Sequence, residues 1–185
     1  MRSIKTLKMA IKKIVRKKTE LEILVERGLK IGNNFRMQQG CIIDDSHCWH
    51  IEIGDDVTLA PRVHILAHDA STKMHLGYTK IKNVWIGNQV FVGAGSIILP
   101  GAKIGNNVII GAGSVIVGEI PEDTVYAGVP AKFICHTSDY IEKQRKQMNA
   151  RNCFDESFTL RIGLSDEKKR MMKEIVDTDG IGFVV

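Results

Sequence analysis

Aliphatic residues recur every six positions through the middle of the chain. The series has six markers, all Ile or Val: Ile86, Val92, Ile98, Ile104, Ile110 and Ile116. A helix repeats its apolar face every ~3.6 residues and a strand alternates its faces, so neither explains this period. Glycine follows four of the markers, at positions where corners are expected. The pattern predicts an all-β solenoid in which three hexapeptides, each a short strand and a corner, close one triangular coil.

The same period appears upstream in two other phases, through Ile53, Leu59 and Ile65 and through Ile31, Met37 and Ile43. Each change of phase requires residues that leave the coil. We therefore expect a loop at about residues 44–52 and a longer, protruding loop at about residues 66–85, which contains Ala67-His68-Asp69. Loops on a rigid scaffold often carry functional residues, so the second loop is the first place to look for a site.

The flanks of the repeat have helical patterns. We expect three regions: a basic amphipathic helix over residues 1–24, the β-helix over residues 25–135 and a helical C-terminal extension over residues 136–185. Helical segments at both ends would cap strand edges that otherwise invite further pairing.

Two helices are predicted within the C-terminal extension, over residues 138–149 and 165–176. Ser138 and Ser165 stand where N-cap residues are expected.

The net charge of +5 is a local property of the N-terminus. Residues 1–18 hold eight Lys or Arg and no acid, which leaves 18 basic against 21 acidic residues elsewhere. This distribution argues against a nucleic-acid-binding protein. The basic residues are either simply solvated or, in a sharper hypothesis, make peripheral contact with an anionic membrane surface.

The spacing of the cysteines and the lack of a recognisable targeting signal predict a cytoplasmic protein. The four cysteines have no CxxC spacing, which favours reduced thiols over a disulfide scaffold. We find neither a secretory signal nor an apolar run long enough to span a bilayer, and we expect a protein that is soluble or peripherally attached to a membrane.

Two segments give the repeat a more specific meaning: residues 110–121, IGAGSVIVGEIP, and residues 126–134, YAGVPAKFI. Together with the period, they resemble the hexapeptide-repeat O-acetyltransferases, especially the galactoside and maltose acetyltransferase group, over roughly residues 31–135. The resemblance implies a left-handed parallel β-helix, a homotrimer with sites shared between subunits, acetyl-CoA as acyl donor and a saccharide hydroxyl as acceptor.

The resemblance also implies roles for individual residues. His68 would be the general base, since a neutral imidazole can take the proton of a sugar hydroxyl. Backbone amides near Gly93-Ala94 would stabilise the oxyanion. The remaining implied contacts are Ala94 and Ala112 with the pantetheine arm, Lys132 with the cofactor phosphates and Asp45 with the acceptor.

The chain departs from the family pattern at several positions. Val117-Gly118 replaces a frequent Thr-Lys pair, Cys135 replaces a basic residue near the cofactor, and Met37 replaces an acceptor-contacting Asn. The acceptor is therefore expected to differ from galactoside or maltose.

Alternative functions remain open. One is N-acetyl transfer to an amino sugar or aminoglycoside, and another is a non-catalytic β-helix scaffold. A third follows from the γ-class carbonic anhydrases, which share this repeat, and would make His64, His68 and His75 metal ligands. We expect no metal. Asp44 and Asp45 are also candidates for corner residues that bind local backbone amides.

Overall fold

The computed structural model describes residues 18–185 and has two compact units, divided after Ile134. Residues 1–17 of the predicted N-terminal helix lie outside the described residues. Helix α1 (Glu20–Glu26) begins with a capping box, in which Thr19 Oγ1 accepts a hydrogen bond from Glu22 N at 3.2 Å and Glu22 Oε2 accepts one from Thr19 N at 2.8 Å. This arrangement fixes where the helix starts.

The first unit is a column of coils whose short strands form three sheets, A, B and C. Sheet A contains β1 (Lys30–Ile31), β4 (Ile51–Ile53), β9 (Val84–Ile86), β12 (Lys103–Ile104) and β15 (Glu119–Ile120). Sheet B contains β2 (Arg36–Met37), β5 (Thr58–Leu59), β10 (Phe91–Val92), β13 (Ile109–Ile110), β16 (Thr124–Gly128) and β17 (Ala131–His136). Sheet C contains β3 (Ile42–Ile43), β6 (His64–Ile65), β11 (Ile97–Ile98) and β14 (Val115–Ile116). The coils pair in parallel.

The predicted markers form the core of this column. Each occupies the inward-facing position of its strand and stacks on its counterpart in the next coil, as Ile53 does on Ile86 and Ile86 on Ile104. From Ile53 to Ile116 every marker is at most 4% exposed. Burying an aliphatic side chain of this size contributes about 1.5–3 kcal/mol, so the stacked markers are the main source of cohesion between coils. The six-residue period is confirmed.

Both predicted loops leave the column where the phase changes. Asn88 N donates to Asn106 Oδ1, 18 residues away, in two coils with no loop between them. The equivalent contacts span 22 residues from Asn33 to Asp55 and 33 residues from Asp55 to Asn88. The added residues form the first loop, with the 3₁₀ helix η1 (Cys48–His50), and the second loop. The second loop contains β7 (His68–Asp69), η2 (Ala70–Thr72), α2 (Lys73–Leu76) and β8 (Lys80–Ile81).

The outer faces of the sheets differ in chemistry. On sheet A, Lys30 pairs with Glu52 at 2.5 Å, Lys103 pairs with Glu119 at 2.8 Å, and Lys103 also lies over the ring of Trp85. Sheet C presents mostly apolar side chains at the equivalent outward positions: Ile42, His64, Ile97 and Val115.

The second unit, Cys135–Val185, contains α3 (Thr137–Arg145), α4 (Asp166–Asp179), η3 (Glu156–Phe158) and the parallel pair β18 (Cys153–Phe154) and β19 (Phe183–Val184). Ser165 is the N-cap of α4, as predicted, and its Oγ accepts from Lys168 N at 3.3 Å. The prediction for Ser138 is wrong, because α3 already begins at Thr137 and its N-cap position is occupied by His136.

All four cysteines are free, as predicted. Within residues 18–185, no helix combines the length and apolar character required to cross a membrane.

Candidate active site

The second loop brings His68 against Asp44, a residue from the previous coil. Strands β3 and β6 are neighbours in sheet C, with Ile43 paired to Ile65, so the chain leaves both strands at the same corner. Asp44 directly follows β3, and His68 comes three residues after Ile65. The Nδ1 atom of His68 lies 2.5 Å from Oδ2 of Asp44.

Backbone amides hold the Asp44 carboxylate from both sides. Oδ2 accepts hydrogen bonds from Ala67 N at 2.9 Å and His68 N at 3.1 Å, and Oδ1 accepts from Ser46 N at 3.2 Å and His47 N at 3.1 Å. The side chain is fully buried. Burial acts to raise the pKa of Asp44, but the hydrogen bonds from Ala67, His68 and His47 outweigh it and leave the pKa below 3.8. Asp44 is therefore an anion at neutral pH.

The charge on Asp44 determines the tautomer of His68. An ionised carboxylate can only accept, so Nδ1 of His68 must carry the hydrogen of their contact. The neutral ring then has a lone pair on Nε2. The side chain of His68 is 32% exposed, which leaves its ring accessible from solvent. Asp44 thus orients an imidazole whose Nε2 is able to accept a proton.

A cavity of about 370 Å³ adjoins His68 at the corner between sheets C and A. Its wall combines apolar side chains with two lysines; besides His68, its lining residues are Leu66, Asp69, Lys80, Lys82, Leu99, Pro100 and Val117.

Asp69 and Lys80 form an ion pair at 2.6 Å at the edge of this cavity. Lys80, together with hydrogen bonds from Ser71, holds the pKa of Asp69 well below its usual range. Asp69 therefore pairs with Lys80, and the residue that contacts the His68 ring is Asp44.

The other predicted site residues lie elsewhere in the unit. Ala94 and Ala112 occupy the corner between sheets B and C in successive coils, where Gly113 N donates to Ala94 O at 2.8 Å. Lys132 is exposed on β17. Asp45 is exposed beside Asp44, and its Oδ1 accepts from Ser46 Oγ at 3.2 Å. None of the four lines the His68 cavity as the described residues form it.

His47 is a third side chain, next to the pair formed by Asp44 and His68. Its ring centroid lies 4.9 Å from that of His68, and its Nδ1 is 4.0 Å from Asp44 Oδ1. This Nδ1 is buried and makes no hydrogen bond within the described residues. Donor atoms of Asp44, His47 and His68 all lie within 4.8 Å of one another, close enough to hold a metal ion.

This cluster differs from the alternative ligand set His64, His68 and His75. His64 is on the outer face of sheet C, and His75 is exposed on α2.

Asp44 and Lys82 are among the site residues that were not predicted from the sequence. Asp44 was considered as a corner residue, which it also is, but its contact with His68 was missed. The sequence did contain a signal for this contact, because Ile43 and Ile65 are equivalent markers of adjacent coils. Lys82 lies in an aperiodic part of the second loop, and no sequence signal indicated that it lines the cavity.

Comparisons with known proteins bear on the fold and the family of the chain. Residues 83–118 match the family model for the bacterial transferase hexapeptide (six repeats). The chain is 36% identical over 139 residues to protein CapG of Staphylococcus aureus, covering 71% of this chain and 79% of the relative. It is 35% identical over 114 residues to galactoside O-acetyltransferase of Escherichia coli strain K12, covering 60% and 55% of the two chains.

A solved structure is also similar, that of a maltose O-acetyltransferase from Clostridium difficile 630. It has a TM-score of 0.52 and 43% sequence identity, and the match covers 57% of each chain. The chain thus spans little more than half the length of these two acetyltransferases, and a larger share of CapG. These similarities confirm the left-handed β-helix, and they establish that the chain belongs to the hexapeptide-repeat acetyltransferase family.

Proposed function

We propose that this protein transfers an acetyl group from acetyl-CoA to a hydroxyl of a saccharide, with His68 as the general base. The observation that carries the proposal is the contact of His68 Nδ1 with the buried Asp44 carboxylate, which leaves Nε2 as a proton acceptor. The names of the two acetyltransferase relatives support a saccharide acceptor.

In the proposed reaction the acceptor hydroxyl donates a hydrogen bond to Nε2 of His68 and attacks the thioester carbonyl carbon. The proton passes to Nε2 as the C–O bond forms, and Asp44 stabilises the resulting imidazolium. The tetrahedral intermediate then collapses, the C–S bond breaks, and the thiolate of coenzyme A takes the proton back from Nε2. No acyl-enzyme is formed.

The donor-binding residues in this proposal are Ala94, Ala112 and Lys132. Gly93 N is already bonded to Ile110 O at 2.8 Å, which makes it unsuitable as an oxyanion donor. Ala94 N makes no hydrogen bond to another described residue, so we assign this role to the amide of Ala94.

The separation of two corners supports a homotrimer with shared sites. Ala94 and Ala112 lie where the chain enters sheet C, and His68 and Val117 lie where it leaves that sheet. A ligand that contacts both corners of one chain would have to cross the exposed face of sheet C. If a second chain packs on that face, one corner from each chain can instead enclose the ligand. The apolar outward residues of sheet C suit such burial better than the ion pairs of sheet A.

The test is release of coenzyme A thiol from acetyl-CoA in the presence of neutral sugars, uronic acids, sugar phosphates, amino sugars and aminoglycosides. We expect turnover that depends on a hydroxyl acceptor and that is lost in His68→Ala. N-acetylated products would instead establish the amine-acceptor alternative. If neither turnover nor acetyl-CoA binding by calorimetry is detected, the protein is better described as a scaffold.

A further inference from the structure

Lys82 lines the same cavity as His68 and the apolar residues Leu99, Pro100 and Val117. Its backbone N donates to Ala67 O at 2.9 Å, so the residue starts beside the backbone that precedes His68. Its side chain packs over Gly101. A Cβ atom added at Gly101 would be 2.8 Å from Cδ of Lys82 and 3.8 Å from its Nζ. The ammonium group therefore lies beside Gly101, the residue that follows Pro100 of the cavity wall.

The two lysines of the cavity differ in their electrostatic state. Lys80 is neutralised by Asp69 at 2.6 Å. Lys82 forms no ion pair or side-chain hydrogen bond with any described residue, although it lines the same cavity. The cavity thus has an uncompensated positive charge next to its apolar wall.

We propose that the acceptor is an anionic saccharide whose carboxylate or phosphate binds the ammonium group of Lys82. This inference rests on the proposed function. The apolar wall of Leu99, Pro100 and Val117 would contact the C–H face of the sugar ring, and Lys82 would set the orientation in which a hydroxyl reaches His68. A single charge pair at the edge of a small cavity selects between substrates of similar size.

The dimensions of the cavity favour the acceptor over the donor as the source of the anion. The phosphates of coenzyme A are separated from its sulfur by the whole pantetheine arm. If the thioester carbonyl lies at His68, those phosphates lie outside this cavity, because His68 itself lines it and its volume is only about 370 Å³. A charged group on a single sugar ring can be inside it.

The experiment compares kcat/KM for galactose, galacturonate and galactose 6-phosphate at saturating acetyl-CoA. The variants are Lys82→Met, which removes the charge at similar length, and Lys82→Arg, which retains it. Lys73→Met is the matched control, since Lys73 lies in the same loop but does not line the cavity. The two anionic sugars separate carboxylate from phosphate recognition.

We expect the preferred anionic sugar to exceed galactose by roughly tenfold in kcat/KM. Lys82→Met should remove this preference through KM for the acceptor, whereas Lys82→Arg and Lys73→Met keep most of it. The proposal is overturned if Lys82→Met lowers kcat/KM equally for neutral and anionic sugars, or if it raises only the KM for acetyl-CoA.

A failure of the proposed function can be distinguished from a failure of the Lys82 proposal. If no sugar is acetylated, saturation-transfer NMR still tests whether the anionic sugars bind. Binding to the wild type that is lost in Lys82→Met supports the Lys82 site without the reaction, and the absence of binding to the wild type refutes it.

Discussion

Asp44 and His68 are 24 residues apart in the sequence, but Oδ2 of one lies 2.5 Å from Nδ1 of the other. The contact exists because β3 and β6 pair in register and end at one corner. The ladder of the β-helix, rather than a local turn, therefore determines which nitrogen of His68 is protonated.

Asp44→Asn should lower kcat by a factor on the order of 10³, with little change in KM for acetyl-CoA. An amide has no charge to stabilise the imidazolium, and it permits the wrong tautomer of His68. Initial-rate kinetics with acetyl-CoA and the best acceptor measure this effect. The matched change Asp45→Asn removes a neighbouring exposed carboxylate and should alter KM for the acceptor instead. A variant at Asp44 with wild-type kcat would contradict the assigned role.

The stability of the first unit should depend on the ionisation of Asp44. Its pKa is below 3.8 in the folded protein, whereas the unfolded chain has the ordinary value of about 3.8. The unfolded state therefore binds this proton more readily. The stability from the carboxylate is present in full above about pH 4 and is lost as the pH falls through the folded-state pKa.

Urea unfolding at several pH values between 7 and 3, followed by circular dichroism, tests this dependence. Above pH 4 the free energy of unfolding of the wild type should exceed that of Asp44→Asn. This difference should become smaller below pH 4. The lowered pKa values of Asp69, Glu119 and Asp155 are common to both proteins and cancel in the comparison. A difference that stays constant down to pH 3 would be inconsistent with an ionised Asp44.

Shared sites predict complementation between two inactive variants. His68→Ala removes the base, and Ala94→Trp should block the corner proposed to bind the donor. In a co-expressed mixture, some sites combine the intact His68 of one chain with the intact Ala94 corner of another. We expect the mixture to recover a fraction of wild-type activity, measured by thiol release, while each variant alone remains inactive. If activity does not return although mixed oligomers form, both corners must act within one chain.

Zinc should inhibit the enzyme by occupying the cluster of Asp44, His47 and His68. Metal binding would engage the carboxylate and the imidazole on which the proposed proton transfer depends. We expect inhibition by micromolar Zn²⁺ that EDTA reverses, and His47→Gln should weaken zinc inhibition by roughly tenfold. EDTA alone should leave the activity unchanged; loss of activity on chelation would mean that a metal takes part in the reaction.

The repeat was predictable because its physical cause is periodic. Each marker from Ile86 to Ile116 must fill the same space in a narrow column, so a residue of similar size returns at each strand. Asp44 was predictable in principle from the pairing of Ile43 with Ile65, which places the ends of β3 and β6 together.

Lys82 could not be found in this way, because its place depends on an aperiodic hairpin. The start of α3 was misplaced for a related reason. A cap signal such as Ser138 marks a preference over one or two residues, and the surrounding chain decides between them.

The second loop is inserted without disturbing the column that carries it. Its two ends are tied together, with His68 paired to Ile81 and Asp69 to Lys80, and the coils on either side keep Ile53 in register with Ile86. Between these ends, Met74 is 95% exposed. Residues 70–79 therefore form a segment that can be replaced without changing the pairing of the coils. Natural or engineered sequences can therefore change the length and surface of this segment, while the folded core and the histidine at its edge stay as they are.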